Sequence, residues 1–241
     1  MIETKRILWL DVAKALAMIA VVFSHEFSSI KPLVLLCNSF MLPLFFMCSG
    51  FCLSPGKYGI AEYFKRKARV LLLPYFLLGL TVSLLHVGVN GIDGVVQNIG
   101  EELFSWQTLW FLPVLFFADL ILYVFLSKAK DILVINVVIG VISLIIGCLF
   151  CWQDITMIMN LTVVPIAIFY LSLGYGMKKA LNVNDFSHRG KVGICLLALG
   201  LVIMMTTKEN FVLKLNDILP MWKIVVSTME VVGVMLILSA I

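Results

Sequence analysis

Eight windows of about 20 apolar residues recur along this chain, and nothing constrains its fold more. They run at roughly 7–25, 33–53, 70–89, 109–127, 132–151, 157–176, 192–207 and 222–241. A helix of that length crosses a hydrocarbon layer of about 30 Å. Hydrocarbon offers the backbone no hydrogen-bond partner, so such windows must close their own bonds as helices. The connections between them hold the Lys, Arg, Asp, Asn and Gly residues, and none is large enough to fold alone. No repeat of fixed period and no low-complexity tract interrupts the pattern. The expected fold is all-α, a polytopic transmembrane helical bundle with eight spans in a single domain, residues 1–241.

Composition closes off the alternatives. Charged residues make up 13% of the chain and hydrophobic ones 62%, whereas a soluble domain carries about 25% charged residues. Too few polar side chains exist to coat a globule facing water. The formal charge of +4 is scattered over short connections, without the basic stripe that nucleic acid requires. Six cysteines lie mostly inside or at the ends of apolar runs, with no spacing typical of metal ligands, so a metal is not expected. Asp11 and Lys14 interrupt the first window and no small-residue cleavage site follows, which argues against a cleavable signal.

Basic residues orient the bundle. With a cytoplasmic N-terminus, the inner connections hold thirteen Lys and Arg: Lys5, Arg6, Lys57, Lys65, Arg66, Lys67, Arg69, Lys128, Lys130, Lys178, Lys179, Arg189 and Lys191. The outer side holds four, Lys31, Lys208, Lys214 and Lys223, and Lys14 falls within a span. The positive-inside rule therefore places the N-terminus in the cytosol. The long outer connection from Asn90 to Thr108 carries Asp93, Glu101 and Glu102 and no basic residue, in agreement. The chain stops in the apolar run Val231 to Ile241 with no polar tail, so missing C-terminal helices are expected.

The first window keeps Asp11, Lys14 and His25 in otherwise apolar sequence. An Asp or Lys at the centre of a span costs about 2.5–3.5 kcal/mol on insertion scales, so a span that retains such groups has a use for them. Asp11 and Lys14 are three residues apart and can pair on one helix face. His25 follows Lys14 by eleven residues, nearly three turns, and returns to the same face about 16 Å further along the axis. Asp11, Lys14, Met18, Val21 or Val22, and His25 form one stripe, charged at one end and titratable at the other. A plainer reading stays open, in which Asp11 and Lys14 neutralise each other against a neighbouring helix and His25 is an interfacial residue.

Other polar positions invite the same two readings. In the second window Pro43 removes a backbone hydrogen bond and should kink the helix. Asn38 is the other polar residue there, and Ser49-Gly50 lets a ligand or another backbone approach closely. In the basic connection Lys57 to Arg69, Arg66 and Arg69 sit one helical turn apart, and guanidinium groups grip phosphate oxygens in forked pairs. Lys57, Lys65 and Lys67 read as ordinary inner-loop charge. Trp110, in Trp110-Phe111-Leu112, fits an interfacial aromatic belt or a substrate contact.

Taken together these residues resemble the acyltransferase-3 family of integral membrane acyltransferases. The resemblance rests on Trp9-Leu10-Asp11-Val12-Ala13-Lys14 with His25 after ten further residues, and on Met41-Leu42-Pro43-Leu44-Phe45-Phe46 running into Ser49-Gly50-Phe51. Arg66-x-x-Arg69 before Leu73-Pro74-Tyr75, and Leu109-Trp110-Phe111-Leu112, complete it. It is specific over residues 5 to 76, extends to about 117, and rests on hydropathy beyond. The most similar members are the sugar O-acetylase-like ones.

The resemblance implies a bundle of about ten helices, so two more than the eight windows. It implies transfer of an acetyl or other short acyl group from cytosolic acetyl-CoA, or another acyl-CoA, to a hydroxyl of a cell-envelope carbohydrate or a lipid-linked sugar precursor. The donor is a substrate, and no bound cofactor is implied. The setting would be a bacterial inner or plasma membrane, with the lipid bilayer as the surrounding partner and no nucleic acid involved. His25 matches the family's essential histidine, with Asp11 and Lys14 at the other end of the same catalytic stripe. Lys14 stands where many polysaccharide-modifying members carry Arg. Arg66 and Arg69 match the paired arginines and would bind the acyl donor, while Ser49, Gly50 and Trp110 would be substrate-binding or structural. Glu230 is a candidate for a late acidic partner. Two other classes stay open: a secondary transporter, since Asp, Lys and His in spans also serve proton relays, and a non-catalytic membrane sensor of the same fold.

Overall fold

The helix Ile132–Trp152 shows which solvent this chain is built for. Its buried positions are Asn136, Gly140, Ser143, Gly147 and Cys151, all small or polar. Its exposed positions include Leu133, Val134, Val137, Val138, Val141, Ile142, Ile145 and Leu149. This inverts the pattern of a water-soluble helix, and it is what lipid-facing helices need, since small residues let backbones approach where no hydrophobic drive exists.

A computed structural model gives the structure of residues 7–27, 29–90, 109–153, 157–183, 188–207 and 221–240. In chain order the helices are α1 (Leu8–Glu26), α2 (Lys31–Cys52), α3 (Ile60–Lys67), α4 (Leu73–Asn90), α5 (Phe111–Lys128), α6 (Ile132–Trp152), α7 (Val164–Val183), α8 (Arg189–Thr207) and α9 (Met221–Ala240). All but α3 are 18 to 22 residues long, one for each predicted window. Five spans among the described residues are long and apolar enough to cross a membrane, so the chain is a multi-pass membrane protein. Lys5, Arg6, Lys208, Lys214 and the acidic connection at 91–108 lie outside the described residues.

Two local departures refine the predicted pattern. The stretch expected to be a loop before the third span is partly helical: α3 joins α4 through a widened π-helical turn, Ala68–Leu72, closed by the Leu73 N–H donating to the Ala68 carbonyl. Pro74 explains its position, because proline donates no bond to the preceding turn and its ring crowds the carbonyl four residues back. The sixth window begins late. A 3₁₀ turn, Ile158–Val163, precedes α7, with Met159 (φ 55°) and Asn160 (φ 53°) both left-handed. Helix α2 runs from Lys31 to Cys52 with Pro43 inside it.

The chain divides into two compact units, with the boundary inside α7 after Phe169. The first unit holds α1, α2, α8, α9 and the later part of α7. Within it, α1 buries Leu10, Ala13, Ala17 and Ala20, a short-side-chain face that lets it lie close to α2 and α9. Glycines set the closest crossings. A Cβ at Gly50 would overlap the Leu171 carbonyl, and one at Gly174 would overlap the Met47 carbonyl, so α2 and α7 touch backbone to backbone. A Cβ at Gly193 would sit 2.7 Å from the Gly233 carbonyl, which makes the same kind of seam between α8 and α9.

The second unit holds α3 to α6, the 3₁₀ turn and the start of α7. Helix α5 is its centre, burying Val114, Phe116, Ala118, Asp119, Leu122, Tyr123 and Leu126. It packs on α3, the π turn, α6 and the 3₁₀ turn.

Candidate active site

The polar residues of α1 lie along the edge of its packed face. Asp11, Lys14 and Val21 are half-buried, while Met18, Val22 and His25 are exposed. On an ideal helix Lys14 and His25 are separated by about 20° of rotation, so both fall on one line along α1. Residues of α2 are among its neighbours in this unit. Trp9 meets Phe51 edge-on, with ring centroids 5.0 Å apart and planes at 80°. At the other end Ser24 donates to the Val21 carbonyl (2.8 Å) and lies 3.7 Å from the sulfur of Met41. The two motif-bearing helices are thus aligned at both ends.

Lys14 reaches across to α2, with its Nζ 3.6 Å from the Sγ of Cys52. Cys48 lies within electrostatic reach of Lys14, and Cys52 within that of Lys178 on α7. Lys14 and Lys178 therefore share a neighbourhood of weakly polar thiols. Lys178 was read in the sequence as one more inner-loop charge; its signal, a lysine that continues a helical face beyond an apolar window, is too common to single it out. Ser49 is half-buried on α2, and Gly50 is buried where α7 crosses, so the close approach expected at Ser49-Gly50 is made by a helix backbone.

A second polar group fills the interior of this unit. Glu230 on α9 is fully buried, and neither carboxylate oxygen has a hydrogen-bond partner among the described residues. It shares this interior with Ser39 and Tyr170. The Ser39 hydroxyl donates to Leu36 (2.8 Å), Ser227 to the Ser39 carbonyl (2.6 Å) and Thr228 to Ile224 (2.7 Å). Lys223, Ser227 and Glu230, all buried, fall on one face of α9.

The paired arginines belong to the second unit. Arg66 lies in the last turn of α3 and Arg69 in the π turn, both exposed. Arg66 makes an exposed pair with Glu62 at 3.6 Å, and its guanidinium lies 4.4 Å from the centre of the Tyr58 ring. Tyr58 is itself held: its N–H donates to the Tyr123 hydroxyl (3.0 Å), and that hydroxyl donates to the Tyr58 carbonyl (2.7 Å). Tyr123 stacks on Tyr63, with centroids 3.5 Å apart and planes at 5°. Below them lies Asp119, fully buried, bonded by the Tyr63 hydroxyl and 3.1 Å from Lys67 Nζ. Asp119, Tyr123 and the Lys67 pairing were not singled out in the sequence. Asp119 and Tyr123 are spaced i, i+4 on an otherwise apolar helix, and an acid in such a run was the available signal. Trp110 sits half-buried at the start of α5, where its carbonyl accepts from the Val114 N–H at 3.4 Å.

These positions carry the motifs of one family, and a family model decides the matter: the model of an acyltransferase domain, acyltransferase 3, matches residues 7–240. The chain belongs to the acyltransferase-3 family. It is a membrane acyltransferase. The family domain runs through α6 to α9, well past residue 117 where the motif resemblance ended, so Lys178 and Glu230 lie within it. No curated protein and no solved structure matches the chain.

Proposed function

We propose that the protein is an O-acyltransferase that moves an acetyl or other short acyl group from acyl-CoA to a hydroxyl of a cell-envelope carbohydrate or its lipid-linked precursor. The family match over residues 7–240 carries this reading, because it joins the Lys14 to His25 stripe and the Arg66-x-x-Arg69 pair in one acyltransferase domain. The N-terminus is cytoplasmic, in keeping with the basic bias of the inner connections, and the membrane is a bacterial inner or plasma membrane.

Arg66 and Arg69 hold the phosphates of the donor, since two exposed guanidinium groups one turn apart suit forked anion contacts. Lys14 supplies a further positive charge beside the reacting stripe, and Asp11 balances it. His25 accepts the proton of the acceptor hydroxyl as that oxygen attacks the thioester carbonyl. A carbon–oxygen bond forms, the carbon–sulfur bond breaks, and the proton passes from the imidazole to the departing CoA sulfur. Ser49 and Trp110 are the substrate-contact candidates, whereas Gly50 serves the α2–α7 crossing.

The test is His25→Ala in the intact membrane protein. Acyl transfer is expected to vanish while insertion and accumulation continue. Full activity in that variant would remove His25 from the chemistry and end the assignment of the stripe.

A further inference from the structure

Lys67 is the basic residue of the Lys65-Arg66-Lys67-Ala68-Arg69 run whose ammonium is drawn into the protein. Its partner, Asp119, is a fully buried carboxylate in the middle of α5, an otherwise apolar helix. A buried carboxylate is expensive unless it is paired and hydrogen-bonded, and Asp119 meets both conditions with residues of α3, Lys67 and Tyr63. The tyrosine frame runs on from there. Tyr63 stacks on Tyr123, Tyr123 clasps both backbone polar groups of Tyr58, and the Tyr58 ring lies under the guanidinium of Arg66. One helix, α5, thus pins the short α3 at two points, Asp119 and Tyr123.

We propose that Asp119 is a positioning residue for acyl-donor binding: by gripping Lys67 and Tyr63 it fixes the rotation of α3 and so the direction in which Arg66 and Arg69 face. This rests on the reading that those arginines hold the donor. Rotation matters because α3 is only eight residues long and joins α4 through a π turn. A helix that short does not hold its own geometry in water, so its orientation is set by what it packs against. Asp119 also withdraws the Lys67 charge, which leaves the exposed arginines, with Lys65, to meet an anion. Forked contacts to phosphate depend on geometry more than on charge, so a turned helix loses affinity even when every cation is retained.

The experiment compares Asp119→Asn, Asp119→Glu, Tyr63→Phe, Arg66→Gln and Arg69→Gln in the full-length purified protein, with free coenzyme A as the probe. Affinity is measured on the folded fraction, alongside the rate of tryptic cutting after residues 65 to 69. Asp119→Asn is expected to weaken CoA roughly five- to tenfold and to speed the tryptic cut, because an ion pair has become a weaker bond between the Lys67 ammonium and a neutral amide. Asp119→Glu is expected to recover much of both. Tyr63→Phe keeps the stack on Tyr123 and stands in if Asp119→Asn does not fold; a smaller loss in the same direction is expected. A merely structural Asp119 would lower the yield of folded protein without changing the affinity of what folds, and that result overturns the proposal. Wild-type CoA affinity in Asp119→Asn and Tyr63→Phe, with affinity lost in the arginine variants, overturns it while leaving the donor reading intact. Wild-type affinity in both arginine variants overturns the donor reading and this proposal with it.

Discussion

The ammonium of Lys14 on α1 lies 3.6 Å from the thiol sulfur of Cys52 at the end of α2. A thiol is a weak hydrogen-bond partner, so this contact positions the lysine without consuming its charge. Cys52→Ser is therefore expected to retain activity within about twofold, since a hydroxyl replaces the thiol at similar size. Lys14→Met, which keeps the stem and removes the charge, is expected to lower acyl transfer by roughly tenfold or more, the scale of a lost charged contact. Lys14→Arg should preserve it. Transfer assays on membranes with matched protein levels decide the point.

The backbone crossing of α2 and α7 leaves no room for a side chain at Gly50 or Gly174. Gly50→Ala and Gly174→Ala each force the helices apart, a strain of roughly 1–3 kcal/mol. Each variant should melt earlier in detergent than the wild type. An unchanged melting temperature in both would show that this crossing is looser than its geometry.

Glu230 is buried, and its carboxylate makes no well-formed hydrogen bond among the described residues, with the Ser39 side chain the donor within reach. Glu230→Gln brings two N–H donors to an interior lined by oxygen atoms of Ser39 and Tyr170. Stability is expected to rise by about 1 kcal/mol, the net value of an added buried hydrogen bond. A variant that gains stability yet loses acyl transfer would mark Glu230 as a functional acid held at a structural cost, the exchange often seen at working sites.

Met159 and Asn160 are consecutive left-handed residues before α7. Asn tolerates this conformation better than Met, which has no local polar group to offset the clash of its Cβ. Met159→Gly is expected to raise stability by about 1 kcal/mol, and Asn160→Gly by less. Thermal unfolding of the two variants side by side measures the difference.

Much of the fold is legible from hydropathy, and the failures have definite causes. The window at 132–151 corresponds to helix Ile132–Trp152 almost residue for residue, because a run without charge or proline has nothing to end it early. The window at 157–176 corresponds to Val164–Val183, because hydropathy cannot see the left-handed pair at Met159 and Asn160. That helix also continues past Lys178, half-buried within electrostatic reach of Cys52, and past Lys179, whose ammonium lies 5.8 Å from the centre of the Tyr175 ring. The motif residues were read one by one in the sequence, whereas the edge-on contact of Trp9 with Phe51, which brings two motif-bearing helices together, has no counterpart in spacing. Asp119 was not, although it is an acid in an apolar run like Asp11. It lacks a polar residue three places away in its own helix, and its partners come from another element, Tyr63 and Lys67 on α3. Pairing across elements leaves no spacing in the sequence.

The π turn at Ala68–Leu72 carries one residue more than an ordinary helical turn would hold. Shortening a helix by one position normally swings everything beyond it through about 100°. Here the surplus is already stored, so loss of Val70 or Leu71 would draw the turn tight and leave both flanks facing as before. Arg66-x-x-Arg69 would keep its spacing through such a deletion, but the tightened turn would bring back the clash between the Pro74 ring and the carbonyl four residues before it, which the wider turn now relieves.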